Sequence, residues 1–282
     1  MERSSLKIGT CSWKYPSWDE LVYSREKPAN YLSEYARKYN TVEIDQWFWS
    51  LHADNKISLP RPEVVANYNA SVPDGFMFSV KAPNSLTLTR PYASTEKVNP
   101  YFLDPALLEK FLNSLAPFGN KLGPVIFQFE YLNKQKMPNQ GVFQEKLATF
   151  FKQAPKEFVY AIEIRNPNFL NPAFFSFLKS QQLSYVFMDG YYMPPVYEVY
   201  KIAKAFISGS TVLRLLGPDR KGIEKQSAKI WNKRIAPRDK SLSAIARMIN
   251  DLLSREVDLT VNVNNHYEGS APLTIKQLLE LL

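Results

Sequence analysis

The sequence predicts a closed (β/α)8 barrel, and three observations support this α/β fold. Apolar segments short enough to be strands alternate with helical patterns along the whole chain. The length of 282 residues suits a single barrel of this kind, which commonly takes about 250 residues. No linker composition divides the chain, so residues 1–282 are predicted to form one domain.

The first half of the chain contains four strand patterns. In the second of them Glu43 and Asp45 share one face, while apolar residues occupy the other. The third strand ends at Lys81, and the fourth carries Gln128 and Glu130 on one face. Helices are indicated where apolar residues recur at helical spacing, and a long polar loop precedes the third helix. The predicted strands are 6–11, 41–45, 76–82 and 123–130, and the helices are 31–39, 62–68 and 106–115.

The fifth strand, residues 159–165, carries two opposite charges near its end. Glu163 and Arg165 are two residues apart, so they point to the same face about 7 Å apart, whereas Ile162 and Ile164 point the other way. The apolar neighbours indicate that both faces are covered, as in a parallel sheet. Charges in such a sheet are best tolerated at the hydrated strand end, where partners or a ligand compensate for lost hydration.

The second half of the chain continues the alternation. Asn166 and Pro167 stop the fifth strand, the sixth ends in Asp189, and the seventh has Arg214 near its end. The remaining strands are predicted at 183–189, 211–217 and 259–265, and the helices at 143–151, 172–179, 197–205, 230–235, 241–253 and 273–282.

Polar residues at the carboxyl ends of these strands predict an active site, because the strand ends of a barrel converge on one mouth. Carboxylates serve as general acid or base when burial raises their pKa, and Lys or Arg neutralises an anionic substrate. For any single residue, an ion-pair network that closes the barrel explains it equally well. The predicted catalytic residues are Glu43, Glu163 and Asp189, and the predicted ligand-binding residues are Lys81, Gln128, Arg165, Arg214, Asn264 and Asn265.

Two loops are predicted to hold phosphate. Residues 217–222, after the seventh strand, are glycine-rich and basic, and residues 269–271 precede the last helix. Many barrels bind phosphate at these two loops through backbone N–H groups at a helix N-terminus.

Positive charge is concentrated in one segment. The net charge is +8, and residues 201–256 hold 13 Lys or Arg against 5 Asp or Glu. Such a segment attracts nucleic acid or phosphorylated ligands, or is simply a solvated helix face. No apolar run approaches the roughly 20 residues that span a bilayer, and the first residues lack the apolar stretch of a signal peptide. We therefore expect a cytoplasmic protein with no membrane partner.

The sequence assigns no metal and no cofactor. With His52 and His266 as its only histidines and Cys11 as its only cysteine, the chain has no zinc site of several histidines or cysteines. Magnesium or manganese held by Glu43, Glu163 or Asp189 remains open. The phosphate-binding P-loop, the dinucleotide-binding glycine fingerprint and the hydrolase nucleophile elbow are all missing from the sequence.

Motifs along nearly the whole chain carry a family resemblance. They include Ile8-Gly9-Thr10-Cys11-Ser12-Trp13, Thr41-Val42-Glu43-Ile44, Phe78-Ser79-Val80-Lys81-Ala82-Pro83, Glu163-Ile164-Arg165-Asn166, Arg214-Leu215-Leu216-Gly217 and Asn264-Asn265-His266. Together they resemble the YecE-like TIM-barrel family of unknown function. The resemblance implies a TIM barrel with a polar mouth, and no established reaction, substrate or cofactor. Leu216 stands where that family usually has histidine, and Leu88 where it often does.

The leading hypothesis is an enzyme that acts on a small anionic metabolite, phosphorylated or sugar-like, at the mouth of the barrel. One alternative is a nucleic-acid-binding protein that uses residues 201–255, with Trp231 or the aromatic loop 13–23 stacking on bases. A second alternative is a barrel that binds a ligand without turning it over.

Overall fold

The computed structural model describes residues 5–24, 28–91 and 97–282. Eight parallel strands close into a barrel in chain order, which confirms the predicted (β/α)8 fold. The last strand pairs with the first, from Leu6 opposite Leu259 to Thr10 opposite Val263. The strands are β1 (Leu6–Cys11), β2 (Thr41–Ile44), β3 (Met77–Lys81), β4 (Leu122–Gln128), β5 (Tyr160–Glu163), β6 (Ser184–Gly190), β7 (Ser210–Gly217) and β8 (Asp258–Val263).

Helices follow the strands, and several begin at signals visible in the sequence. The side chains of Asn139 and Asn171 accept hydrogen bonds from Val142 N and Phe174 N, which caps two of these helices. Proline stands in the first turn of others, where its missing N–H costs nothing. The helices are α1 (Tyr31–Tyr35), α2 (Pro62–Ala70), α3 (Asn84–Thr87), α4 (Pro105–Leu115), α5 (Gln140–Gln153), α6 (Pro172–Ser180), α7 (Val196–Ala203), α8 (Arg220–Ser227), α9 (Asp239–Ser254) and α10 (Ala271–Leu279).

The inside of the barrel is built in layers, because alternate residues of each strand face inward. One layer is apolar and fully buried, and consists of Ile126, Ala161, Val186 and Val212. The next inward positions toward the carboxyl ends are two residues further along the same strands, at Gln128, Glu163, Met188 and Arg214. Register places Gln128 beside Glu163 and Arg214 beside Asn262. The polar strand ends therefore share one level of the interior.

Several element predictions differ from the structure in detail. Residues 230–235 form no helix, because the chain there runs against the loop after β8, where Ile235 N and Ala236 N donate to the Glu268 carbonyl at 2.5 and 3.0 Å. The helix predicted at 31–39 ends at Tyr35. The loop predicted at 217–222 instead contains the start of α8.

The polar loop predicted after the third strand contains the short helix α3, and its residues 92–96 lie outside the described residues. In the described part of the chain, no helix is both long enough and apolar enough to cross a membrane.

Candidate active site

Arg214 spans the inside of the barrel and is bound by two glutamates. Its Nε and Nη2 donate to Oε2 and Oε1 of Glu43 at 2.6 and 2.7 Å. Its Nη1 donates to Glu163 Oε2 and to Gln128 Oε1, the latter at 3.2 Å. Arg214 is 3% exposed and both glutamates are fully buried. Four strands thus meet in one charged network that water hardly reaches.

Arg165 extends this network toward the surface. Its Nη2 lies 2.5 Å from Glu163 Oε1, although β5 ends at Glu163 and does not extend to Arg165 as predicted. Its Nη1 contacts the Met188 sulfur at 3.2 Å, and the Tyr191 ring lies 5.0 Å from its central carbon. Because a thioether is a weak acceptor, Nη1 keeps capacity to bind an anion. We call Glu43, Gln128, Glu163, Arg165 and Arg214 the mouth cluster.

The mouth cluster keeps Glu163 ionised. Burial alone raises the pKa of a carboxyl, but Arg165, Arg214 and Lys81 together hold the pKa of Glu163 below its ordinary value. Glu163 is therefore a fixed negative charge at the mouth.

Lys81, at the end of β3, differs from the other cations of the mouth. It is 7% exposed, and its Nζ sits 3.7 Å from the centre of the Phe48 ring. Among the described residues Nζ makes no hydrogen bond and no ion pair. It is not among the polar atoms that the fold buries completely, so solvent reaches it. Burial and the nearby Arg214 lower the pKa of Lys81 to about 8, against the pull of Glu43, Glu163 and Asp45.

Asp45 adds an acid that the predicted catalytic set omits. It lies two residues after Glu43, and this spacing is the signal that points to it. Burial, followed by repulsion from Glu43, raises its pKa, while Lys81 and Arg214 oppose the rise. Asp45 is therefore easier to protonate than an ordinary aspartate and suits the role of proton donor.

Asp189 lies apart from the mouth cluster. Val186 belongs to the inner layer and Met188 follows it on the inner face, so Asp189 points outward from β6. Its carboxylate is 3.8 Å from Arg238, and its Oδ2 is buried without a hydrogen bond among the described residues. Burial raises its pKa, opposed by Arg238 and the Val196 N–H. The structure does not bring it into contact with Glu43 or Glu163.

The amides predicted to bind ligand after β8 hold their own loop. Asn264 Oδ1 accepts from His266 N and Asn265 Oδ1 accepts from Ala271 N, each at 2.9 Å. Asn262 is the amide that faces the interior: its Nδ2 donates to Ser79 Oγ at 3.0 Å, and its Oδ1 is buried without a hydrogen bond among the described residues.

The predicted phosphate loops have N–H groups already in use. Asp219 Oδ1 accepts from Gly222 N at 2.9 Å, which places a carboxylate at the start of α8 where phosphate would sit. In the other loop, Ala271 N is bound by Asn265. Gly217 has φ +80°, and a Cβ there would lie 2.3 Å from the His266 carbonyl oxygen. Close packing of two loops accounts for this glycine.

A second charge network, in which Glu268 and Thr274 are buried and Asp239 is exposed, lies outside the barrel and has no signal in the sequence. Arg234 Nε and Nη2 donate to Oε2 and Oε1 of Glu268 at 3.0 and 2.7 Å, and Nη2 also pairs with Asp239. Thr274 Oγ1 donates to Glu268 Oε2 at 2.7 Å. We call Arg234, Asp239, Glu268 and Thr274 the loop clamp, since it fixes the loop before α9 to the loop after β8.

Several cations of the basic segment form ion pairs or hydrogen bonds within the fold. Lys204 pairs with Asp251 at 2.7 Å, Arg220 pairs with Glu224 at 2.7 Å, and Arg255 donates to two backbone carbonyls. Metal is not favoured at the mouth, since Arg214 sits between Glu43 and Glu163. Over residues 5–24, 28–91 and 97–282, no group of three or more His, Cys, Asp or Glu is placed to hold a metal ion.

Comparisons with known proteins agree with this fold. A family model described as "Protein of unknown function DUF72" matches residues 7–282, which confirms the YecE-like resemblance. A solved DUF72 family protein from Enterococcus faecalis V583 superposes with a TM-score of 0.69 at 21% identity, covering 99% of this chain and 95% of that one. One from Thermotoga maritima MSB8 gives 0.66 at 17% identity, covering 98% and 97%. No curated protein matches the chain.

Proposed function

The chain belongs to the DUF72 family of proteins of unknown function, and we propose that it is an enzyme acting on a small anionic metabolite, phosphorylated or sugar-like, at the mouth of the barrel. One observation carries the proposal. Lys81 is a buried cation at a strand end with no acid bound to its nitrogen among the described residues, beside a network in which each glutamate is already paired.

Such a lysine is costly unless a ligand uses it. Burial disfavours the charged amine, and the Phe48 ring returns only about 1–2 kcal/mol as a cation–π contact. A packed apolar residue would fill the same position without that cost. An anionic substrate that contacts Lys81 Nζ would supply the missing partner, and Arg165 Nη1 offers a second donor toward it.

The roles within the site follow from the protonation of each group. Lys81 and Arg165 contact the anion, and Lys81 also exchanges a proton near neutral pH. Glu43, Gln128, Glu163 and Arg214 form a rigid electrostatic frame around the reacting group, with Glu163 as the ionised base. Asp45 supplies a proton where one is needed.

A ligand-binding experiment tests the proposal. Thermal unfolding is measured with phosphosugars, sugar acids, nucleotides and short oligonucleotides, for the parent protein and for Lys81→Met, Arg165→Met and Lys201→Met. Lys201 pairs with Glu198 on the outer face of α7 and provides the matched control. A ligand at about 100 times its Kd adds about 2.7 kcal/mol, which raises the midpoint by several degrees.

The outcomes separate the hypotheses. Stabilisation of the parent and of Lys201→Met by a small anion, lost in Lys81→Met and Arg165→Met, supports a substrate site at the mouth. Equal stabilisation of all four proteins contradicts it. Stabilisation by oligonucleotides alone supports the alternative hypothesis, nucleic-acid binding by the basic segment. A turnover assay on the stabilising compound, with Glu163→Gln as the inactive variant, then separates an enzyme from a binding barrel.

A further inference from the structure

We propose that Lys81 is a nucleophile that forms an imine with an aldehyde or ketone group of the substrate. The inference rests on the proposed function and narrows its substrate class to small anions that carry a carbonyl. It stands on the position of one nitrogen: buried on an aromatic ring, open to the mouth, and bound to no acid among the described residues.

An amine must be neutral to attack a carbonyl, and two features around Lys81 favour the neutral form. The first is desolvation, since the side chain is 7% exposed and Nζ faces the Phe48 ring at 3.7 Å. The second is the Arg214 guanidinium, which repels a second positive charge. A lysine that is desolvated or lies next to another cation is activated as a nucleophile.

The neighbouring acids explain why Nζ is left unpaired. Glu43 directs both of its carboxylate oxygens at Arg214, and Glu163 is shared between Arg165 and Arg214. Because the two arginines hold these carboxylates in place, the carboxylates form no ion pair with the amine. They still lie close enough to Lys81 to act on it electrostatically, so they stabilise the positive charge that an iminium carries.

The step balances with the groups present. The lone pair of Lys81 Nζ attacks the carbonyl carbon, the C=O π bond breaks, and a proton passes from the nitrogen to the oxygen to give a carbinolamine. Asp45, whose half-buried carboxyl holds a proton more readily than usual, protonates the hydroxyl, which leaves as water while the C=N bond forms, and the Asp45 carboxylate then takes back the proton of the iminium. One amine and one carbonyl give one imine and one water, without an oxidant or reductant. Before this step the charged Lys81 attracts the anionic substrate together with Arg165, and once Nζ is bonded to carbon Arg165 Nη1 binds the anionic group.

Reductive trapping of an imine tests the inference. The purified protein is incubated at pH 7 with glyoxylate, a small anionic aldehyde, and cyanoborohydride, which reduces any imine to a stable secondary amine. Peptide mass spectrometry then gives the rate of modification at each lysine, and separates the N-terminal amine from Lys81. With a pKa near 8, Lys81 presents far more free amine than an ordinary lysine, so we expect it to react at least about ten times faster than any other lysine.

Variants sharpen the test. Lys201→Met leaves the fast site in place, and Lys81→Arg removes it. Asp45→Asn slows it, and an equal rate in that variant overturns the proton transfer assigned to Asp45. Modification of Lys81 no faster than the surface lysines overturns the imine. If phosphosugars still stabilise the parent and not Lys81→Met in that case, the anion site stands and only the carbonyl chemistry falls.

Discussion

The mouth cluster and the loop clamp are built in the same way at different places in the fold. In each, an arginine bridges two acids, and at least one of the acids is fully buried. Beside the mouth cluster lies a buried cation, Lys81, whose nitrogen binds no acid among the described residues, whereas Arg238 beside the loop clamp is half-buried and lies 3.8 Å from Asp189. A buried ion pair by itself is therefore a structural element here. The cation left over beside it is what points to a ligand.

The largest change in stability is expected when the arginine at the centre of the mouth cluster is removed. In Arg214→Met, Glu43 and Glu163 remain buried with their main counterion gone, so we expect unfolding free energy to fall by about 3–5 kcal/mol at pH 7. Urea denaturation followed by tryptophan fluorescence measures the loss. A decrease below about 1 kcal/mol would mean that water reaches the glutamates, contrary to a sealed network.

Removal of the unpaired cation Lys81 should raise the unfolding free energy. A shift from the ordinary 10.5 to about 8 costs the folded protein about 3 kcal/mol at pH 7, so Lys81→Met is expected to stabilise it by about 2–3 kcal/mol while abolishing ligand binding. Urea denaturation of the variant and the parent measures the gain. Destabilisation in Lys81→Met would show that the amine has a structural partner.

The pH dependence of that gain follows from the two pKa values. Above pH 10.5 the lysine is neutral in the folded and unfolded chains, and the variant gains nothing. As the pH falls from 10.5 to about 8, the unfolded chain takes up the proton first, and the cost to the parent grows. The gain in Lys81→Met is complete below pH 8. Urea denaturation of both proteins between pH 7 and 10.5 checks this, and a gain independent of pH would contradict it.

The loop clamp should respond in stability alone. Arg234 is 19% exposed on its side chain, so solvent screens part of the loss, and we expect Arg234→Met to cost about 1–2 kcal/mol. Ligand-induced thermal shifts should equal those of the parent. A loss of ligand binding in this variant would make the clamp part of the site and would remove the contrast between the two networks.

The smallest effect is expected at a surface pair. Lys201 and Glu198 lie three residues apart on α7, with side chains 70% and 50% exposed. Lys201→Met should change stability by less than about 0.5 kcal/mol, because water screens such pairs. Urea denaturation of Lys201→Met and Arg214→Met under the same conditions compares the exposed pair with the buried network. A larger change in Lys201→Met would contradict the screening of this pair by water.

The sequence identifies the mouth cluster because parallel strands of a barrel all end at one mouth. Paired polar residues two apart, such as Glu163 with Arg165, also reveal which strand face is inward. Asp189 has no such partner: the four residues before it, 185–188, are hydrophobic on both strand faces. Which face points inward is therefore visible only once Val186 is seen in the inner layer. The loop clamp joins residues 234 and 268, and no periodicity links positions so far apart.

The titration of Lys81 tests the central claim most directly. The protein is labelled with 13C at the lysine ε-carbons, the Lys81 resonance is assigned by its loss in Lys81→Arg, and its shift is followed between pH 6 and 11. Burial of Lys81 and the nearby Arg214 predict a midpoint near 8, which moves upward when an anionic ligand binds. A midpoint near the ordinary 10.5 would show a fully hydrated lysine, and would contradict both the anion site and the nucleophile.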